Sequence, residues 1–166
     1  IAIRGVNGLG KTTLLKTILG LLKPVSGELV KGDFLEVGYF AQEDAPSNSE
    51  TALDYIWNEY PAMTNAEVRA ALARCGLTNE HITSQMRVLS GGENAKVRLC
   101  KLMQKKYNVL VLDEPTNHLD IYAKDELARA LREFKGTIVL VSHEPEFYES
   151  WVTDIWNIED WTTKIV

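Results

Sequence analysis

Gly5-Val6-Asn7-Gly8-Leu9-Gly10-Lys11-Thr12 is the stretch on which the reading of this chain turns. It fits the pattern G-x-x-x-x-G-K-[ST] and has the flanks that pattern requires. A short apolar run, Ile1-Ala2-Ile3, precedes it, and a segment with Leu14, Leu15, Ile18, Leu19 and Leu22 on one 3.6-residue face follows. Glycines at this spacing let successive backbone N–H groups turn inward around a polyphosphate, and the start of the next helix adds positive potential. Lys11 then reaches the terminal phosphates, and the Thr12 hydroxyl offers a hard oxygen to Mg2+. The helix is expected over residues 11–22, stopped by Pro24 and Gly27.

Working outward, residues 28–40 alternate apolar and polar around Gly32-Asp33, which predicts a β-hairpin leading into Tyr39-Phe40-Ala41-Gln42. Residues 49–89 turn helical. Leu53, Ile56, Trp57 and Tyr60 recur at helical spacing before Pro61, and a second helix is bracketed by a Thr64-to-Glu67 capping box and Gly76. Beyond Leu89 the pattern predicts a helix over 92–105, an apolar strand over 109–112, a helix over 121–134 and a strand over 137–141. Strand, helix and strand in that order imply a right-handed parallel crossover. Sheets of that kind place ligands at the carboxyl ends of their strands. The residues just past those ends are Gly5 onward, Asp113-Glu114 and Ser142-His143.

Val109-Leu110-Val111-Leu112-Asp113-Glu114 ends a buried strand in two adjacent carboxylates, which point in different directions in an extended chain. One can serve Mg2+ through water while the other faces an attacking water, so Asp113 is assigned to the metal and Glu114 to general-base work. Leu89-Ser90-Gly91-Gly92-Glu93 opens a helix with a hydroxyl and two glycines, a second cluster of free N–H groups suited to an anion. One domain needs one phosphate cradle, so this second one is expected to serve a nucleotide bound to another subunit.

Composition narrows the class. The chain has 166 residues, 45% of them apolar, enough for one proper core. It contains no run of apolar residues long enough to span a membrane and no secretory signal, which predicts a cytoplasmic protein without membrane insertion. Eighteen basic against 23 acidic residues give a net charge of −5, which argues against the whole surface being a nucleic-acid platform. Lys96, Arg98, Lys101, Lys105 and Lys106 are read as the solvated side of a helix. Cys75 and Cys100, distant in sequence, are read as free thiols, and Trp151, Trp156 and Trp161 as packing residues. The chain opens directly on a strand without Met and is expected to be a segment of a longer polypeptide.

Taken in order, Gly5 to Thr12, Gln42, Leu89 to Glu93, Val109 to Glu114 and His143 resemble the Walker A, Q-loop, signature, Walker B and switch-histidine elements of the ABC ATPases. The resemblance covers nearly the whole chain. It implies an α/β fold of the P-loop NTPase type: a mostly parallel sheet, a small truncated antiparallel β-subdomain and a short helical subdomain near residues 49–89, within one domain spanning 1–166. It implies that ATP is held by Gly5, Asn7, Gly8, Gly10, Lys11, Thr12 and Thr13, and Mg2+ by Thr12, Gln42 and Asp113. Glu114, His143 and Gln42 form the catalytic set. Ser90, Gly91, Gly92 and Glu93 address ATP on an opposing domain, which Asp120 contacts. That partner is a second ABC ATPase domain, in the same full-length chain or in a homodimer.

Within that family the run Leu112 to Asp120, with Asn117-His118, the signature ending in Glu93, and Val37 to Glu43 are similar to the ABC-F group. These are soluble two-domain proteins acting on ribosomes. That likeness implies a C-terminal ATPase domain working in translation regulation or antibiotic resistance, contacting ribosomal RNA through regions outside this segment. The alternative is the ATPase subunit of an ABC membrane transporter. The adenine-stacking aromatic of the family lies upstream of the first residue here.

Overall fold

The computed structural model describes residues 1–42 and 49–161, which form two compact units. The first comprises Ile1–Gln42, Tyr107–Thr116 and the chain from Tyr122 onward. The second comprises the described residues 49–106 together with Asn117–Ile121.

The first unit is built on a five-stranded sheet of β1 (Ala2–Arg4), β2 (Val37–Phe40), β3 (Val109–Asp113), β4 (Thr137–Val141) and β5 (Ile155–Asn157), in the order β2-β3-β4-β1-β5. Every ladder in it is parallel. Strand β3 lies in the interior with Leu110 to Asp113 all buried, as expected of an uninterrupted Val/Leu run covered on both faces. Helix α1 (Lys11–Ile18) lays Leu15, fully buried, against Ile3, Val111 and Val141. Burying that side chain contributes about 1.5–3 kcal/mol. Helix α6 (Ile121–Glu133) leads into β4, and a short helix α7 (Pro145–Tyr148) follows β4.

The register sets up the functional edge. Phe40 pairs with Leu112, Asp113 with Val141 and Ile3 with Val141. The segments leaving β1, β2, β3 and β4 therefore emerge at one carboxyl edge.

Two expectations for this unit are corrected. Helix α1 stops at Ile18, four residues short of the expected end, because Gly20 takes a left-handed φ of 76°. The Leu21 N–H donates to Lys16 O at 2.8 Å and the Gly20 N–H to Thr17 O at 2.9 Å, the paired bonds of a glycine-terminated helix. Pro24 and Gly27 have no helix left to stop. The hairpin around Gly32-Asp33 does not form, and among the described residues no antiparallel ladder joins the strands. Asn108 holds that segment instead: its side chain accepts from the Glu36 N–H at 2.9 Å and donates to Phe34 O at 2.8 Å, steering the chain into β2 alongside β3. Val30 and Phe34 stay 80% and 94% exposed, so a hairpin there has no surface to pack on, and an isolated two-stranded ribbon is marginal in water.

The second unit contains α2 (Ala52–Trp57), α3 (Asn65–Arg74), α4 (Asn79–Thr83), a 3-10 turn at Met86–Val88 and α5 (Gly91–Leu102). Its core joins Leu53, Ile56, Val68, Leu72, Ile82, Met86 and Val97. Its helices are closed at their starts by side chains. The expected box is present, with the Thr64 N–H donating to Glu67 Oε2 at 2.7 Å and the Glu67 N–H to Thr64 Oγ1 at 3.3 Å. Gly76, at φ 78°, ends α3 as expected. The unit is larger than the 49–89 segment marked by periodicity, because α5 packs Val97 and Cys100 into the same core. Cys75 packs there too, so the two thiols distant in sequence are neighbours in space and are not joined by a disulfide. Contact with Cys75 and burial push the Cys100 thiol far up.

The tryptophans divide. Trp151 packs edge-on against Phe147 with ring centroids 6.0 Å apart and donates to Phe147 O at 2.6 Å. Trp156 and Trp161 pair with each other at 5.6 Å but remain 38% and 51% exposed, against the expectation that all three are packing residues.

Candidate functional site

The loop between β1 and α1 takes the shape expected of a phosphate cradle. Gly5, Gly8 and Gly10 have φ of 154°, 84° and 85°, and Gly10 caps α1 with no side chain occupying the helix start. The first-turn amides of α1 are thus not consumed by a capping side chain. Lys11 is buried to 7% exposure, and its Nζ donates back to Gly5 O at 2.8 Å and Val6 O at 3.1 Å. An ammonium folded over its own loop, hydrogen-bonded among the described residues to two carbonyls, can exchange those partners for phosphate oxygens.

Beside this loop the sheet edge holds the acids. Asp113 is fully buried, and neither of its carboxylate oxygens makes a hydrogen bond among the described residues. Burial pushes its carboxyl above the usual range, opposed by the nearby Thr12 hydroxyl and by the charges of Lys16 and Lys11. The Thr12 hydroxyl itself donates to Gln42 Oε1 at 3.3 Å. The three residues expected at the metal, 30 to 101 positions apart in sequence, therefore meet.

An orphaned buried carboxylate beside a hydroxyl and an amide oxygen fits Mg2+, a hard cation that keeps water and takes its remaining ligands from phosphates. Among the described residues no group of three or more His, Cys, Asp or Glu side chains is placed to hold a metal ion by itself.

Glu114 sits where the chain leaves β3 in a left-handed conformation, φ 49°, with its backbone N–H donating to Val141 O at 2.9 Å. That turn aims its side chain away from Asp113 and toward His143. The His143 backbone N–H donates to Glu114 Oε2 at 3.3 Å, and His143 Nε2 lies 3.1 Å from Oε1 without hydrogen-bond alignment. Burial raises the Glu114 carboxyl, countered by His143 and by Lys11 and reinforced by Asp113. A buried base with a raised pKa is better matched to proton abstraction near neutrality.

In the helical unit, Ser90 caps α5 in a reciprocal box. The Ser90 N–H donates to Glu93 Oε2 at 2.9 Å and the Glu93 N–H to Ser90 Oγ at 3.4 Å. The box accounts for Ser90 and Glu93 and leaves the Gly91 and Gly92 amides, the first two of the helix, without intrahelical acceptors. Glu93 is further engaged by His81 Nε2 at 3.3 Å. Asp120 lies 3.4 Å from Lys96 on the same helix. Ser90, Gly91, Gly92, Glu93 and Asp120 are thus neighbours, as are Gly5 to Thr13, Gln42, Asp113, Glu114 and His143 in the sheet unit. Glu43, the last residue of the Val37 to Glu43 run, lies outside the described residues.

Two residues near the loop were not singled out in the sequence. Glu159 Oε1 accepts the Val6 N–H at 3.1 Å across 153 positions, and Lys16 adds its charge to the field at Asp113. Lys16 could have been found one helical turn past Thr12, whereas nothing local announces Glu159. No helix among the described residues is long and apolar enough to cross a membrane.

Comparison with known proteins identifies the family. The family model described as ABC transporter matches residues 1–117. The chain is 56% identical over all 166 residues to the ABC transporter ATP-binding protein YfmM of Bacillus subtilis (strain 168), of which it covers 32%. It is 39% identical over 163 residues to ABC transporter F family member 5 of Arabidopsis thaliana, aligning 96% of this chain with 24% of that protein. The chain therefore spans about a quarter to a third of the length of these curated relatives. Among solved structures it is similar to the archaeal ribosome recycling factor aABCE1 in complex with the ribosomal stalk protein aP1. There the TM-score is 0.73 at 25% identity, over 95% of this chain and 31% of that one. The chain belongs to the ABC transporter ATP-binding family, an ATPase family, and has its α/β phosphate-loop fold.

Proposed function

We propose that this domain binds MgATP on Gly5 to Thr13 and hydrolyses it when a second such domain closes over it. The observation carrying the reading is the convergence of a carbonyl-held Lys11, an orphaned Asp113 carboxylate and the Glu114–His143 pair at one sheet edge. Lys11 would turn from Gly5 O and Val6 O to the terminal phosphates. Thr12, Gln42 and Asp113 would hold Mg2+, Asp113 through water, and the ion would neutralise charge on the phosphate oxygens.

Glu114 takes the proton from a water whose oxygen bonds to the γ-phosphorus as the bond to the β–γ bridging oxygen breaks, giving ADP and phosphate. His143, against Glu114, is placed to hold that carboxylate and meet the transferred group. Ser90 to Gly92 serve the nucleotide of the opposing domain, and Asp120 contacts that domain.

Similarity to an ABC transporter F family member, and to a ribosome recycling factor, supports a soluble cytoplasmic factor whose closed and open forms engage the ribosome differently. The direct test is Glu114→Gln in the intact protein. Single-turnover phosphate release should fall about 10²- to 10⁴-fold with MgATP binding retained, and the variant should cosediment with ribosomes in ATP. Undiminished release would remove Glu114 from the mechanism. Copurification with a membrane protein in place of ribosomes would favour the transporter reading.

A further inference from the structure

His118 is exposed, follows the acids of β3 by a few residues, and has no part in the chemistry above. Its backbone is left-handed, φ 64°, and this turns the residue onto the start of α5 within the helical unit. A Cβ added at Gly91 would stand 2.9 Å from His118 Cγ and 3.0 Å from His118 Cβ. A Cβ added at Gly92 would stand 2.8 Å from the His118 carbonyl oxygen. None of these atoms is the free end of a flexible side chain. The ring base and the carbonyl of one residue thus occupy the space above both glycines.

Neither side can easily give way. Leu119, next in sequence, is 7% exposed, and Asp120 is tied to Lys96 on α5 itself at 3.4 Å. From the other side the helix start is fixed by the Ser90–Glu93 box and by Glu93 against His81.

We propose that His118 is the positioning residue of the Ser90–Gly92 helix start: it sets the turn by packing on both glycines, and Gly91 is glycine because of the His118 side chain. The inference rests on the reading that this helix start serves a polyphosphate. The two glycines differ in what excludes a methyl group, a side chain at Gly91 and a backbone oxygen at Gly92. Only the first obstacle can be removed by mutation, and His118→Gly removes it while suiting the left-handed backbone.

The test is a pair of double-mutant cycles in the intact protein, reading steady-state ATP turnover, MgATP affinity and Tm. Gly91→Ala and Gly92→Ala should each lower kcat about tenfold or more, with MgATP affinity following the same order among the variants. His118→Gly alone should lower kcat modestly at unchanged KM. Gly91→Ala with His118→Gly should recover to within about threefold of His118→Gly alone. Gly92→Ala with His118→Gly should stay as low as Gly92→Ala.

Failure of Gly91→Ala to be rescued, or equal rescue of both glycines, would overturn the proposal, since Gly91 would then be demanded by the ligand or by general loosening. If wild type neither binds nor hydrolyses MgATP, the functional reading fails. The pairing is then still decided by Tm, which Gly91→Ala should lower and His118→Gly restore for Gly91 but not for Gly92.

Discussion

The helical unit and the sheet edge treat their acids in opposite ways. In the helical unit Glu67 and Glu93 each close a capping box, and the backbone and hydroxyl hydrogen bonds from Thr64 and Ser90 hold their carboxyls below the usual range. At the sheet edge Asp113 and Glu114 are buried, and burial pushes both above it. A carboxylate at a helix start contributes to folding, whereas one desolvated beside a phosphate loop opposes it unless a cation is supplied. The difference separates acids that stabilise a helix start from acids whose burial is unfavourable in the absence of a cation.

Breaking the helical core should have the largest effect on stability. Leu72, fully buried among Ile56, Val68 and Ile82, should lose about 2–5 kcal/mol on truncation to alanine, read as the urea midpoint of the intact protein. Lys11→Ala should lower the midpoint less than Leu72→Ala does, since it removes a donor from Gly5 O and Val6 O and a charge beside Asp113 and Glu114. It should also weaken MgATP by about 1.5–3 kcal/mol, read by calorimetric titration, because charge-assisted bonds to the ligand are lost.

Thr64→Ala sharpens the comparison at the smaller end. It removes one cap and should cost about 1 kcal/mol with no change in ATP affinity, measured by the same two methods.

The pH dependence should divide the same way. For Asp113 and Glu114, whose carboxyls are raised in the folded state, stability is fully present below the unfolded carboxyl pKa and is lost as pH rises through the folded value. For Glu67 and Glu93 the stability is present above the unfolded value and is lost as pH falls through the folded one. In nucleotide-free protein, Tm followed from acid to neutral pH should therefore decline less in Asp113→Asn than in wild type.

Much of the site was legible because its elements are local. The glycine loop with its lysine, the Val109 to Glu114 strand and the Thr64–Glu67 box each have their determinants within eight residues. What failed was decided by partners far away. Alternation in residues 28–40 described a hairpin, but Asn108, more than 70 positions on, takes those backbone groups. Gly20 ended α1 early although the apolar face continues to Leu22, because a left-handed glycine outweighs the last apolar contacts. The contact of Cys75 with Cys100, the Glu159 bond to the loop and the seat of His118 on Gly91 are tertiary, and no window of sequence contains them.

On the function proposed above, the sheet edge holds an unfavourable acid that MgATP relieves. The decisive measurement is Tm of wild type and Asp113→Asn, each with and without MgATP. The predicted result is a crossover: without nucleotide the variant melts higher, since a buried neutral amide is less costly than a buried unpaired carboxylate, and with MgATP wild type melts higher. A variant that melts lower without nucleotide, or that gains as much from MgATP as wild type, would contradict it.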